Sequence, residues 1–130
     1  MRSADISSRP VVGLWLPVVA YMAFIFALSS IQRTPAMPGG SDKLLHTLLY
    51  SGLGFLFARA WAGGMTRVSL ATVATAVVFG AIYGASDEFH QYFNPPRAVE
   101  GADLLADTIG AGLGASALWA WGIIRARNGV

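Results

Sequence analysis

Four long apolar runs alternate with short polar segments along this 130-residue chain. The runs cover residues 11–30, 43–61, 68–86 and 104–124. Each is close to the ~20 residues that a helix needs to cross a hydrocarbon core. The pattern predicts an all-α protein with one domain over residues 1–130, a polytopic bundle of four transmembrane helices. The connections carry helix breakers. Residues 31–41 hold Pro35, Pro38 and Gly39-Gly40; residues 62–67 hold Gly63-Gly64; residues 93–102 hold Pro95-Pro96. Pro17 lies in the first run, where a membrane helix can tolerate it. That run could instead be a cleaved signal peptide. It is longer than the ~7–15 residues of a signal core, and Ala27-Leu28-Ser29 makes a poor cleavage site, which favours a retained span.

Three polar clusters interrupt the apolar pattern, each at the end of a run. They are Asp42-Lys43-x-x-His46, Asp87-Glu88-x-His90-Gln91 and Asp103-x-x-x-Asp107. They hold five of the seven carboxylates and both histidines, so they carry nearly all the titratable chemistry of the chain. Helical neighbours are three or four residues apart. Asp42, His46, Tyr50 and Gly54 therefore form one stripe, and Gly80, Gly84, Asp87 and Gln91 a second, with Tyr83 and His90 beside it. Asp103, Asp107, Gly110 and Gly114 form the third. Glycines let membrane helices approach closely, so the three stripes are expected to face one another, with a polar cavity above a glycine-lined seal.

Composition strengthens the membrane reading. The chain is 55% hydrophobic and 12% charged, with mean hydropathy +0.54, against ~25% charged for soluble domains. Cysteine is absent, which excludes a disulfide framework and thiolate metal sites. A net charge of +2 with scattered arginines excludes a nucleic-acid footprint. Arg2, Arg9, Arg59, Arg67, Arg125 and Arg127 fall on one side of a four-span topology, against Arg33, Lys43 and Arg97 on the other. The positive-inside rule then places both termini in the cytoplasm of a multi-pass inner-membrane protein, with all three clusters at the outer face. Trp61, Trp119 and Trp121 fit interface anchors at the inner ends.

A charge in lipid costs at least ~2.5–3.5 kcal/mol at mid-depth, so these groups must pair or reach water. The candidate binding residues are Asp42, Lys43, His46, Asp87, Glu88, His90, Gln91, Arg97, Asp103 and Asp107. Of these, His46 and His90 are candidate general bases, and Asp87 and Asp107 could orient a base or bind a divalent metal. Arg97 could hold a phosphate or carboxylate. The histidines and carboxylates could supply metal ligands, although the chain lacks His-Glu-x-x-His or a similar spacing. Asp87-Glu88-Phe89-His90 matches a helicase string, but no phosphate-binding loop accompanies it. Ser29 and Ser30 are placed to satisfy backbone groups where the first span ends. A purely structural network that fixes helix packing is the plainest reading of the same residues.

Phe26-Ala27-Leu28-Ser29-Ser30, Asp42-Lys43-Leu44-Leu45-His46, Asp87-Glu88-Phe89-His90-Gln91, Arg97 and Asp103-Leu104-Leu105-Ala106-Asp107-Thr108-Ile109-Gly110 follow one another in this order. In this the chain resembles the VanZ-like family of small bacterial membrane proteins, from its first span to its last. The family pattern often has Asn at the position of Asp107. The resemblance implies a cell-envelope setting and a link to antibiotic resistance, since the founding member is associated with low-level teicoplanin resistance. Two functions are expected from these readings. One is a binding or protective module whose partner is a membrane lipid or another envelope component. The other is a membrane-embedded enzyme acting on a lipid-linked or peptidoglycan-related substrate. Transport fits less well, because the inner half of the bundle reads as sealed.

Overall fold

In a computed structural model, residues 5–30, 41–93 and 101–129 are described, and all the regular structure among them is helical. Helix α1 spans Asp5–Ser29, α2 Ser41–Ala62, α3 Leu70–Tyr92 and α4 Gly101–Arg127. All four coincide with the expected apolar runs, but each differs at its ends. The clearest difference is α3, which starts two residues later than the run and continues past Ser86 to Tyr92. A capping box sets its start. The Ser69 hydroxyl accepts from Thr72 N–H at 3.2 Å, and Ser69 N–H donates back to the Thr72 hydroxyl. No breaker follows until Pro95, so the Asp87–Gln91 cluster lies inside the last turns of α3 instead of beyond its end.

Between α2 and α3 the chain reverses in the expected tight turn. Gly63 and Gly64 donate to the carbonyls of Ala60 and Arg59. Gly63 has φ 75°, a left-handed conformation that glycine adopts without a Cβ penalty.

The bundle is organised around α2 and α4. These two pack most extensively, α3 closes against α4, and α1 lies mainly on α2 with a light touch on α3. The α2–α4 seam is backbone on backbone. A Cβ at Gly54 would overlap the Ala111 carbonyl, one at Gly110 the Thr47 carbonyl, and one at Gly114 the Ser51 carbonyl. Such approach lets Cα–H groups of one helix meet carbonyl oxygens of the other, a weak contact that only glycine permits at this distance.

The remaining core is built from small residues and rings. Ala58, Ala76, Ala111 and Ala115 are fully buried, whereas Leu44, Leu48, Leu70, Ile82, Phe89, Leu105 and Leu113 point outward. Small inside and large apolar outside inverts the usual order of a water-soluble domain. An aromatic column fills one flank, with ring centroids 5.7 Å apart for Trp61–Phe57, 4.2 Å for Phe57–Phe79, 6.2 Å for Phe79–Tyr83 and 6.1 Å for Tyr83–Tyr50. Helix α1 is tied on by two phenols. Tyr21 donates to the Leu49 carbonyl at 2.7 Å, over Gly52, and Tyr83 donates to the Met22 carbonyl at 2.6 Å.

By length and apolarity alone, α1 from Pro10 and α3 qualify as membrane spans. Helices α2 and α4 are as long, but the glycines, alanines and polar groups of their shared seam dilute them.

The seam yields a direct test. Gly114→Val places methyl groups against the Ser51 backbone, which cannot retreat as a side chain would. Thermal unfolding of the purified protein in detergent should show a loss of roughly 3 kcal/mol or more, at or above the upper end of ordinary overpacking. Gly13 has open space where its Cβ would lie, so Gly13→Ala should be neutral or stabilising by about 0.5–1 kcal/mol.

Candidate functional site

The functional side chains of α2 and α4 owe their position to the α2–α4 seam. His46 sits one turn above Tyr50 on α2, and Asp107 one turn above Ala111 on α4. The glycine contacts below them draw the two helices together. At ~1.5 Å per residue, His46 and Asp107 lie roughly 7–9 Å inside their helix starts.

The two helices exchange a connected set of ionic contacts. Lys43 Nζ lies 2.5 Å from Asp103 Oδ1 and 2.9 Å from Asp42 Oδ2. His46 Nδ1 lies 2.7 Å from Asp107 Oδ1, and its Nε2 lies 4.0 Å from Asp103 Oδ2. An ionised Asp107 can only accept, so Nδ1 carries the hydrogen and Nε2 is left facing Asp103. Burial deepens along this set: the side chains of Asp42 and Lys43 are 44% and 30% exposed, His46 12% and Asp107 0%. At the exposed end, the hydrogen bond from Lys43 holds the Asp42 carboxyl below the usual carboxylate range.

Helix α3 supplies a second group. Asp87, Glu88 and Gln91 are buried. Gln91 Nε2 donates to Ser29 Oγ at 3.2 Å and approaches Asp87 Oδ2 at 3.4 Å. Gly84 leaves room for Asp107, whose Oδ2 would be 2.9 Å from a Cβ at that position. The α3 stripe therefore does face the α2–α4 pair, through Gly84 and Asp87.

His90 reaches toward α1. Its Nε2 lies 3.1 Å from Ser30 Oγ, and its ring packs on Phe26 with centroids 4.5 Å apart. His90 is three residues beyond Asp87, and the helical twist carries it toward α1. Ser30 also donates to the Phe26 carbonyl at 2.8 Å, which closes the end of α1 as its sequence suggests. Arg97 falls outside the described residues.

The candidate residues thus separate into two neighbouring groups, one between α2 and α4 and one where α3 meets α1. Among the described residues, no three His, Asp or Glu side chains converge in a metal-holding set. The His46–Asp107 pair instead has the form of an oriented base, with a carboxylate fixing the ring through one nitrogen and leaving the other available. Tyr21 went unnoticed in the sequence, although a tyrosine in the first span opposite Gly52 of the second was the available signal.

Among the described residues, Asp107 Oδ2 and the Tyr50 hydroxyl are buried without a hydrogen-bond partner. Both residues are essentially inaccessible, at 0% and 1% relative exposure. Gly84 frees the space beside the Asp107 carboxylate, and Tyr50 lies one turn below His46 on α2.

A double-mutant cycle measures how much the central pair matters. His46→Ala with Asp107→Asn should give a coupling of about 1.5–3 kcal/mol in unfolding free energy, the range for a hydrogen bond to a charged group. The exposed Lys43–Asp42 pair should give far less.

Comparison with known proteins adds the relationship that this geometry leaves open. No curated protein and no solved structure matches the chain. A family model described as VanZ/LLP1 matches residues 9–124, from α1 through α4 and across both groups of polar residues. The chain belongs to the VanZ-like family.

Proposed function

We propose that this protein is a four-span component of the bacterial cytoplasmic membrane, with both termini inside, that binds the polar headgroup of an envelope amphiphile at its outer face. The observation that carries this reading is the graded ionic network of Lys43, Asp103, His46 and Asp107, which begins half-exposed at one end of the bundle and runs inward. Large apolar side chains on the outward faces of all four helices suit a lipid surround. Such a setting delivers an amphiphile laterally to a polar mouth at the depth of its headgroup. The arginine bias favours cytoplasmic termini, which puts the mouth outside. Occupying an envelope component there would account for the family's association with tolerance to envelope-directed antibiotics.

The His46–Asp107 contact favours a second reading, a membrane-embedded enzyme on a lipid-linked or peptidoglycan-related substrate. In that reading His46 is the general base, Asp107 orients it and Lys43 neutralises charge at the mouth. The aromatic column on the inner half argues against a continuous path for transport.

Topology and role are separable by experiment. An alkaline-phosphatase fusion at Arg97 should be active and one at Arg67 inactive; the opposite pattern inverts the orientation. Expressed in a sensitive host, the wild-type protein should raise the inhibitory concentration of teicoplanin or another envelope-directed antibiotic several-fold. Lys43→Ala and His46→Ala should abolish that gain while still inserting. Unchanged tolerance in variants that insert normally would reduce the network to a packing element.

A further inference from the structure

Beneath the mouth the polar network does not end where its hydrogen bonds end. His46 stands between two carboxylates, with Nδ1 on Asp107 at 2.7 Å and Nε2 4.0 Å from Asp103. The second distance is too long for a direct hydrogen bond and short enough for one bridging water. On the far side of Asp107, its Oδ2 and the Tyr50 hydroxyl are buried and unpartnered. Below Tyr50 come the rings of Tyr83, Phe79 and Phe57, with the Tyr83 hydroxyl turned to the Met22 carbonyl of α1.

We infer that His46 is a proton relay between the outer mouth and an internal proton-binding site at Asp107. The transfer balances without any co-reactant. A proton from the Asp103 side adds to Nε2 of a neutral ring that already carries hydrogen on Nδ1. The Nδ1 proton then passes to Asp107, leaving His46 neutral with hydrogen on Nε2 and Asp107 as a neutral acid. One proton enters, and the net charge of the cluster rises by one. The proton is received on Oδ1, the oxygen that meets His46, and the unpartnered Oδ2 becomes the carbonyl oxygen of a neutral acid instead of half of a buried carboxylate.

The surroundings supply the reason for a proton to reside there. Facing Asp107 are His46 and Tyr50 from α2, Asp87 from α3 and Asp103 from α4. Glu88 also interacts with Tyr50 from α3, and Ser29 of α1 meets Gln91. Lys43 is held by Asp42 and Asp103. Asp107 Oδ2 is buried without a partner, and one proton relieves its charge without the several ligands that a metal ion needs. The site concerns the same end of the bundle as the headgroup reading, but it needs no headgroup.

Infrared difference spectra of the full chain, taken between alkaline and acidic buffer without added amphiphile, test the inference. A protonated-carboxyl band should appear on acidification and vanish in Asp107→Asn. His46→Gln retains a hydrogen-bonding side chain but cannot relay, so proton uptake after a pH jump should slow by roughly 100-fold. A wild-type protein with no such band overturns the inference. So does a band that survives Asp107→Asn, or an uptake rate unaltered in His46→Gln. Because no amphiphile is present, any of these failures leaves headgroup binding at the mouth standing.

Discussion

The closeness of α2 to α4 governs this molecule. Gly54, Gly110 and Gly114 allow carbonyls and Cα atoms of the two helices to touch. Everything polar above that seam depends on it, because Lys43–Asp103 and His46–Asp107 are contacts between the same two helices, one to three turns higher. A side chain at any of these glycines would wedge the pair apart and lengthen the ionic contacts together. Fold and site are therefore one object held by one interface.

That coupling has an energetic logic. Ionised groups inside a low-dielectric bundle are destabilising unless paired, and pairing requires fixed geometry. Here the fixed geometry comes from backbone contacts, which do not depend on rotamers. The acids and bases can then be held at hydrogen-bond distance while the mouth remains partly open. Asp107 is buried and tied on one oxygen only, a state that a loosely packed bundle would relax by moving the helix.

Much of this was legible in the amino-acid order. Apolar runs located four helices, and the glycine spacing identified the faces that meet. The stripes Asp42-His46-Tyr50-Gly54 and Asp103-Asp107-Gly110-Gly114 correspond to the α2–α4 contact, because helical periodicity alone assigns a face. Periodicity does not assign a partner: the contacts of His90 with Ser30 and Phe26 follow from how α1 leans on α3. That lean is set by long-range packing that no local spacing encodes. The reach of α3 to Tyr92 was hidden for a different reason: polar residues at 87–91 looked like the end of an apolar run, yet nothing there breaks a helix.

Helix α1 is attached in an unusual currency. Both phenols that tie it down, Tyr21 and Tyr83, donate to main-chain carbonyls, one to Leu49 on α2 and the other to Met22 on α1 itself. A carbonyl is present whatever side chain its residue carries. The anchor at Met22 is thus indifferent to the identity of that residue, and the outward residues of α1 meet nothing but their surroundings. The outward positions of α1 are free to drift in sequence as long as they stay apolar, while Tyr21, Val18 and Ile25 are held by contact and the seam of α2 and α4 is confined atom by atom. Within one small bundle, mutational freedom and mutational constraint lie side by side on adjacent helices.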